Sequence, residues 1–259
     1  MAHLHFLRKL AEKYPEIQFR HWAHPEYIPQ MAAMVADQPR ITLVPFGSEP
    51  SGRGKWSVAP PVEDSINAWK NAGGWFDRLP GDLRNKYGFI MIVWFQELAR
   101  RMGLESPFVK WSNLLFDYPA LKYDGGNNPK LDFLIINSPP LSGQAKGYDP
   151  REMDTLIIEL KVRGYSVLAT NPAQYGSNFP NTQQFGWDIT QIGHISQCCK
   201  RIIAVATGPI WPTFNIWNAG KLDLRIVINK PEIVDLDPAA LHAKTVGEVR
   251  AHLKERALL

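Results

Sequence analysis

Two hydrophobic rhythms run along the chain, and their order predicts its architecture. His5–Tyr14 places Phe6, Leu7, Leu10 and Tyr14 on one face at helical spacing, and Pro15 ends the pattern. Glu16–Trp22 reads as a strand, with Ile17, Phe19 and His21 alternating against Gln18 and Arg20. A second helix is predicted over Glu26–Ala36 and a short apolar strand over Ile41–Pro45. Tyr87–Met102 carries a strong helical stripe (Ile90, Val93, Trp94, Leu98) that ends near Gly103. An opening of helix, strand, helix, strand implies parallel crossovers.

From Leu131 the rhythm becomes more regular. Leu131–Ile136 is an unbroken apolar run, as expected of a strand buried on both faces. Glu152–Arg163 reads as a helix with Met153, Leu156, Ile157 and Leu160 on its core face and Gly164 as its stop. Strands follow at Tyr165–Thr170, Arg201–Ala206 and Leu224–Ile228, with helices at Asp188–Cys199 and Pro212–Ala219 between them. Thr245–Leu258 is an amphipathic helix. Right-handed crossovers turn such a series into a parallel sheet whose ligand cleft lies beyond the strand C-termini. The segment DGGNNPK at Asp124–Lys130 is the best linker between the halves. The expected fold is therefore α/β, with two Rossmann-like lobes over residues 1–125 and 126–259 and parallel sheets flanked by helices. A doubly wound lobe normally opens on a strand, and this one opens inside a helix, so the first strand of the N-terminal lobe is expected to be missing.

Composition narrows the class. At 259 residues with 45% hydrophobic and 21% charged residues, the chain reads as a soluble globular protein. No apolar run approaches the ~20 residues that span a bilayer. MAHLHFLRKLAEKYPEIQF lacks the apolar core and cleavage site of a secretory signal, so a cytoplasmic location is expected, with peripheral attachment to the inner face of the membrane compatible with it. Cys198 and Cys199 are the only cysteines and are adjacent, which excludes a disulfide framework. A net charge of +4, spread along the chain, suits acidic small ligands and does not argue for nucleic acid. Trp56, Trp69, Trp75, Trp94 and Trp111 crowd the first half, where core packing and sugar stacking are both open. An unpaired sheet edge in the first lobe would favour a homo-oligomer.

Candidate chemistry concentrates in three loops that leave strand C-termini in the second half: Asn137–Tyr148, Thr170–Trp187 and Thr207–Asn215. They offer Ser138, Ser142, Gln144, Lys146, Asn171, Gln174, Thr207, Thr213 and Asn215. Thr207-Gly208-Pro209, expected to open onto a helix, is the candidate cradle for a diphosphate, with Lys146 as its cation. Asp188 suits either a helix N-cap or a ligand contact. In the first half, His21, His24 and Glu26 lie around the end of the first strand and are candidates for general-base work; His24 and Glu26 are the preferred pair. The loop Gly47–Asn71 contains SGRGK, which does not satisfy the spacing of a nucleotide P-loop. The sequence also lacks a G-x-G-x-x-G fingerprint and a G-x-S-x-G elbow. His194 and Cys198 stand at i and i+4 without a second ligand pair, so neither a metal nor a cofactor is expected.

On three segments, LDFLIINSPPLSGQAKGYD, DITQIGHISQCCKRIIAV and ATGPIWPTFN, the second half resembles the C-terminal domain of bacterial GT-B glycosyltransferases, nearest the heptosyltransferase-like group. HFLRKLAEKYPEIQFRHWAHPEY is similar, more weakly, to the helix and strand after the acceptor loop of such enzymes, whose first strand and glycine-containing loop have no counterpart before His3. The resemblance implies donor contacts from Ser138 or Lys146, from Asp188, and from Thr207, Gly208 and Pro209. It implies metal-independent transfer of a sugar from a nucleotide-diphosphate sugar donor to a glycan or lipid-linked saccharide acceptor. The competing expectations are a non-catalytic nucleotide-sugar-binding or interaction module, and a nucleotide-sugar epimerase.

Overall fold

The computed structural model describes residues 1–45, 89–126, 130–140, 147–175, 178–228, 237 and 239–259. They form two compact units, Met1–Ala120 and Leu121–Leu259.

The first unit begins with helix α1 (Ala2–Lys13), followed by strand β1 (Phe19–Ala23), helix α2 (Ile28–Val35), strand β2 (Ile41–Pro45) and helix α3 (Phe89–Arg101). The strands pair in parallel, with Phe19 opposite Ile41 and Ala23 opposite Pro45. Strand β1 starts later than its alternation predicts, and only Phe19 of its residues is buried. The helix predicted over Glu26–Ala36 is split. A 3-10 turn at Pro25–Tyr27 comes first, and α2 then carries Pro29 in its first turn, where a missing N–H costs nothing. Helix α1 buries Leu4, Phe6, Leu7, Leu10 and Ala11 against an aromatic core. Phe6 stacks on Phe95 at 4.7 Å between centroids, and Phe108 meets Phe95 edge-on at 5.1 Å.

The second unit is a parallel sheet. Its elements are β3 (Leu131–Ile136), α4 (Pro150–Val162), β4 (Val167–Ala169), α5 (Ile189–Ser196), β5 (Cys199–Val205), β6 (Leu224–Ile228), β7 (Leu241–Ala243) and α6 (Val246–Glu255). The strand order is β4-β3-β5-β6-β7. On one face Phe133, Ile135, Ile203, Val205, Ile226 and Ile228 pack with Met153, Leu156, Ile157 and Leu160 of α4 and with Val246, Val249 and Leu253 of α6. Leu134, Ile136, Ile202 and Ala204, which alternate with them, are also fully buried. Burial on both faces accounts for the unbroken apolar runs in the sequence. Gly164, at φ +87°, ends α4 in the left-handed conformation that glycine adopts without strain.

In the second unit two elements depart from the sequence reading. Strand β7 was not anticipated, being three residues long. The helix predicted over Pro212–Ala219 is instead a 3-10 segment at Gly208–Thr213. Pro212 has no N–H to donate, and the Asn215 side chain takes the Pro212 carbonyl, which closes the segment as a turn.

Candidate functional site

Counted within the second unit, the strand order is 2-1-3-4-5. The chain moves outward from β3 to β4, then returns to the other side of β3 as β5. In parallel sheets of this order the ligand crevice lies at that reversal, beyond the C-termini of the first and third strands. Here those termini are Asn137-Ser138 after β3 and Ala206-Thr207 after β5.

A polar knot closes the β3 and β4 ends. Asn137 is buried, and its Oδ1 accepts from the Asn171 N–H at 2.8 Å and the Thr170 hydroxyl at 3.2 Å. Its Nδ2 donates to the Asn171 carbonyl at 3.2 Å, and Tyr148 Oη donates to the Asn137 carbonyl at 2.9 Å. Burial raises the Tyr148 phenol above its ordinary value, so it stays a donor. Ser138 sits half-buried above this knot, its hydroxyl donating to Asn171 Oδ1 at 3.2 Å. The structure thus brings Ser138 and Asn171, proposed separately from sequence, into direct contact. Asp154 of α4, also buried, accepts the N–H groups of Gln174 at 2.8 Å and Tyr175 at 3.1 Å, pinning the connection that follows. Sequence reasoning missed Asn137, Tyr148 and Asp154; the only signal for Asn137 was an amide immediately after a buried strand.

At the β5 end, Thr207 is half-buried and Gly208 exposed. The 3-10 segment that follows has no side-chain cap, and a β-carbon added at Gly208 would meet nothing within 4 Å. A short 3-10 segment lacks the aligned dipole of a longer α-helix, so the helix-terminus argument made from sequence does not carry over. What stands at this point is accessible backbone. The neighbouring helix starts differ electrostatically: α4 is capped by Asp149 and α5 by Asp188, and a carboxylate at each disfavours an added anion.

Two predicted site residues are structural in place. Asp188 Oδ1 accepts the N–H groups of Thr190 at 2.7 Å and Gln191 at 3.2 Å, which makes it the N-cap of α5. Thr213 is fully buried rather than lining the loop surface. Its hydroxyl donates to the Ile210 carbonyl at 2.7 Å and accepts from Arg225 Nη1 at 3.0 Å. Arg225, a buried guanidinium missed from sequence, also donates to the Thr213 carbonyl at 3.0 Å, pairs with Asp237 at 3.1 Å and lies 4.2 Å from the Phe214 ring. Asn215 and Asn218 donate to Ser196 Oγ from the far side, so the segment after Thr207 is fixed along its length.

Ser142, Gln144 and Lys146 lie outside the described residues, as do Trp56, Trp69, Trp75 and the loop Gly47–Asn71. In the first unit, His24 caps the 3-10 turn, its Nδ1 accepting the Glu26 N–H at 3.5 Å and lying 3.9 Å from the Glu26 carboxylate. Trp94 is buried in the aromatic core. His21 is half-buried, and desolvation pulls it down to about 4, so it is neutral near pH 7. Among the described residues no group of three or more His, Cys, Asp or Glu could hold a metal ion. Cys199 is buried and its thiol is pushed up to about 12 by desolvation, away from reactivity. Among the described residues no helix is long and apolar enough to cross a membrane.

No protein-family model matches the chain, and no curated protein matches it. Among solved structures, it is similar to E. coli heptosyltransferase WaaC with ADP at a TM-score of 0.50 and 12% identity, covering 98% of this chain and 92% of that one. It is also similar to E. coli ADP-heptose lps heptosyltransferase II at a TM-score of 0.46 and 13% identity, covering 98% and 95%. At such identity the likeness is one of fold: an α/β chain with parallel sheets flanked by helices, as in GT-B heptosyltransferases.

Proposed function

We propose that the chain is a glycosyltransferase that takes a sugar from a nucleotide-diphosphate donor bound on the second unit and passes it to a glycan or lipid-linked saccharide. The observation that carries this reading is the reversal of strand order between β3 and β5. It sets Ser138 and Asn171, anchored by the Asn137 knot, at one strand end and the uncapped Thr207-Gly208-Pro209 turn at the other. Backbone at Gly208 can approach a phosphate closely because no side chain intervenes. Lys146 is the proposed cation for the departing diphosphate, and Ser138, Gln144 and Asn171 supply neutral hydrogen bonds to the donor. His24 or Glu26 is the proposed base that takes the proton of the acceptor hydroxyl as the glycosidic bond forms. The reaction needs no redox cofactor.

A thermal-shift titration with nucleoside diphosphates and nucleotide sugars tests the donor site. A ligand at about 100 times its Kd stabilises the native state by roughly 2.7 kcal/mol. The expected result is a clear rise in Tm with one diphosphate, lost in Gly208→Trp while that variant alone melts as the parent does, since the space around Gly208 is open. A Tm that no diphosphate moves would remove the donor reading.

A further inference from the structure

The connection from β4 to α5, one of the three loops that leave strand C-termini, carries two large aromatic side chains to which the donor reading assigns no role. The Ala169 N–H donates to the Pro180 carbonyl at 3.1 Å and Asn181 bridges Ala169, so the connection lies alongside the C-terminal end of β4. It then passes through a 3-10 turn at Thr182–Phe185 and a left-handed Gly186 into Trp187 and the Asp188 cap. Phe185 is 55% exposed and Trp187 half-buried; their centroids lie 5.1 Å apart and their planes are tilted by 36°. Exposing a phenyl ring beside an indole costs apolar hydration.

The polar groups around the rings are fixed in a particular sense. Gln184 Oε1 accepts the Asn181 N–H at 3.4 Å, and Gln191 Oε1 accepts the Asp188 N–H at 3.0 Å. Each donor is a backbone N–H, so in both glutamines the amide oxygen is the engaged atom. Their NH2 groups have no partner among the described residues, and both side chains are exposed. Asp188 uses Oδ1 for its cap, leaving Oδ2 as an acceptor. The result is a ring surface flanked by two amide donors and one carboxylate acceptor.

We propose that the Phe185–Trp187 surface, flanked by Gln184, Asp188 and Gln191, is a binding site for a neutral saccharide. A pyranose presents C–H groups to aromatic faces and hydroxyls to amides and carboxylates, which is the complement of this arrangement. Within the stretch Gln183–Gly193 the one charged residue is Asp188, an anion that favours a neutral ligand over a phosphorylated one. Apart from Asp188, which the resemblance also implied for the donor, none of its ligand-facing groups is used by the donor reading.

The test is a titration of the full chain with neutral oligosaccharides (β-1,4-linked glucose, α-1,4-linked glucose and β-1,4-linked N-acetylglucosamine pentamers) at millimolar concentration, read by saturation-transfer NMR and calorimetry. The expected result is binding of at least one, weakened about tenfold or more in Phe185→Ala and retained in Phe185→Tyr, with Tm unchanged because the ring is exposed. Binding by none of the three, or equal binding by Phe185→Ala, would overturn the proposal. So would loss of nucleoside-diphosphate affinity in Phe185→Ala, which would place the nucleotide on this surface. Saccharide binding that survives in Gly208→Trp separates this site from the donor site whichever way the latter is decided.

Discussion

The aliphatic layers between the second unit's five-stranded parallel sheet and its helices exclude its buried Arg225 and Asp154, whereas the first unit packs aromatic rings directly around charge. In the second, Ile135, Ile203 and Ile226 meet Leu156 and Val249 with no ionised group among them, and polar residues gather at the strand C-termini. In the first, His5 and Arg8 are buried beside Phe6, Phe108 and Tyr118. Arg8 pairs with Asp37 and lies 3.9 Å from Asp117, which also pairs with Lys9. Burial alone would raise the Asp117 carboxyl, but His5 and Lys9 beside it outweigh that and hold it well below the usual carboxylate range. The two units therefore depend differently on cavity formation and on pH.

The largest effect that would sharpen this contrast is expected from Ile203→Ala in β5. Removing a fully buried side chain from the middle of the sheet should cost roughly 3–4 kcal/mol, read by urea unfolding and by faster hydrogen exchange in β3, β5 and β6. Protection in α1 and α3 that fell as much as in the sheet would break the contrast. Next comes Arg8→Met, which keeps the apolar stem but takes the ion pair from Asp37 and a nearby cation from Asp117, which keeps Lys9. Because Asp37 and Asp117 are partly exposed and can recover water, about 2 kcal/mol is expected rather than the larger loss of a fully dry pair. Its exchange signature should lie in α1 and in α2, whose Met34 carbonyl Arg8 also reaches.

The remaining contrast is the dependence on mild acid. His3, edge-on to Trp94 and Phe95, is pulled down to about 3 by desolvation, and His21 to about 4. Both lie below the ordinary 6.5, so the unfolded chain takes up protons first. Their contribution is complete above that value and is lost as the pH falls toward 4 and then 3. In the second unit Asp132, held at about 2 chiefly by its hydrogen bond from Lys200, loses its contribution only below the ordinary carboxylate value. A fall in Tm between about pH 7 and 5 that is reduced in His3→Phe, with the remainder carried by His21, is expected. A fall unchanged in that variant would assign the acid sensitivity elsewhere.

Legibility in the sequence follows how much of each element is set locally. Ile41–Pro45, Leu131–Ile136 and Leu224–Ile228 appear at the predicted residues because each is a short apolar run that only a strand can bury. The helix over Pro212–Ala219 failed because its pattern ignored the missing N–H of Pro212 and the carbonyl-seeking amide of Asn215. Strand β7 is too short to carry a rhythm and exists through its pairing with β6. For the candidate site, the loops were legible from strand direction alone, but the contact between Ser138 and Asn171 was not, because it depends on which strands are neighbours. Arg225 reads as an exposed charge in LRIVI, and only the tertiary partners Thr213, Phe214 and Asp237 explain its burial. The boxes at Asn181–Gln184 and Asp188–Gln191 match a capping pattern that could have been read, and with it the fixed setting of Phe185 and Trp187.

The strand order has a further consequence during synthesis. Strand β3 lies inside the sheet, yet one of its two neighbours, β5, leaves the ribosome only after the whole of Asn137–Cys198 has been made. Until then LDFLII offers an apolar edge with unpaired backbone groups to any other nascent chain. The long loop that must close before β3 gains its second ladder makes this the slow and aggregation-exposed stage of folding. Translation speed across Asn137–Cys198 and access to chaperones over that interval should govern yield more than any contact in the finished sheet.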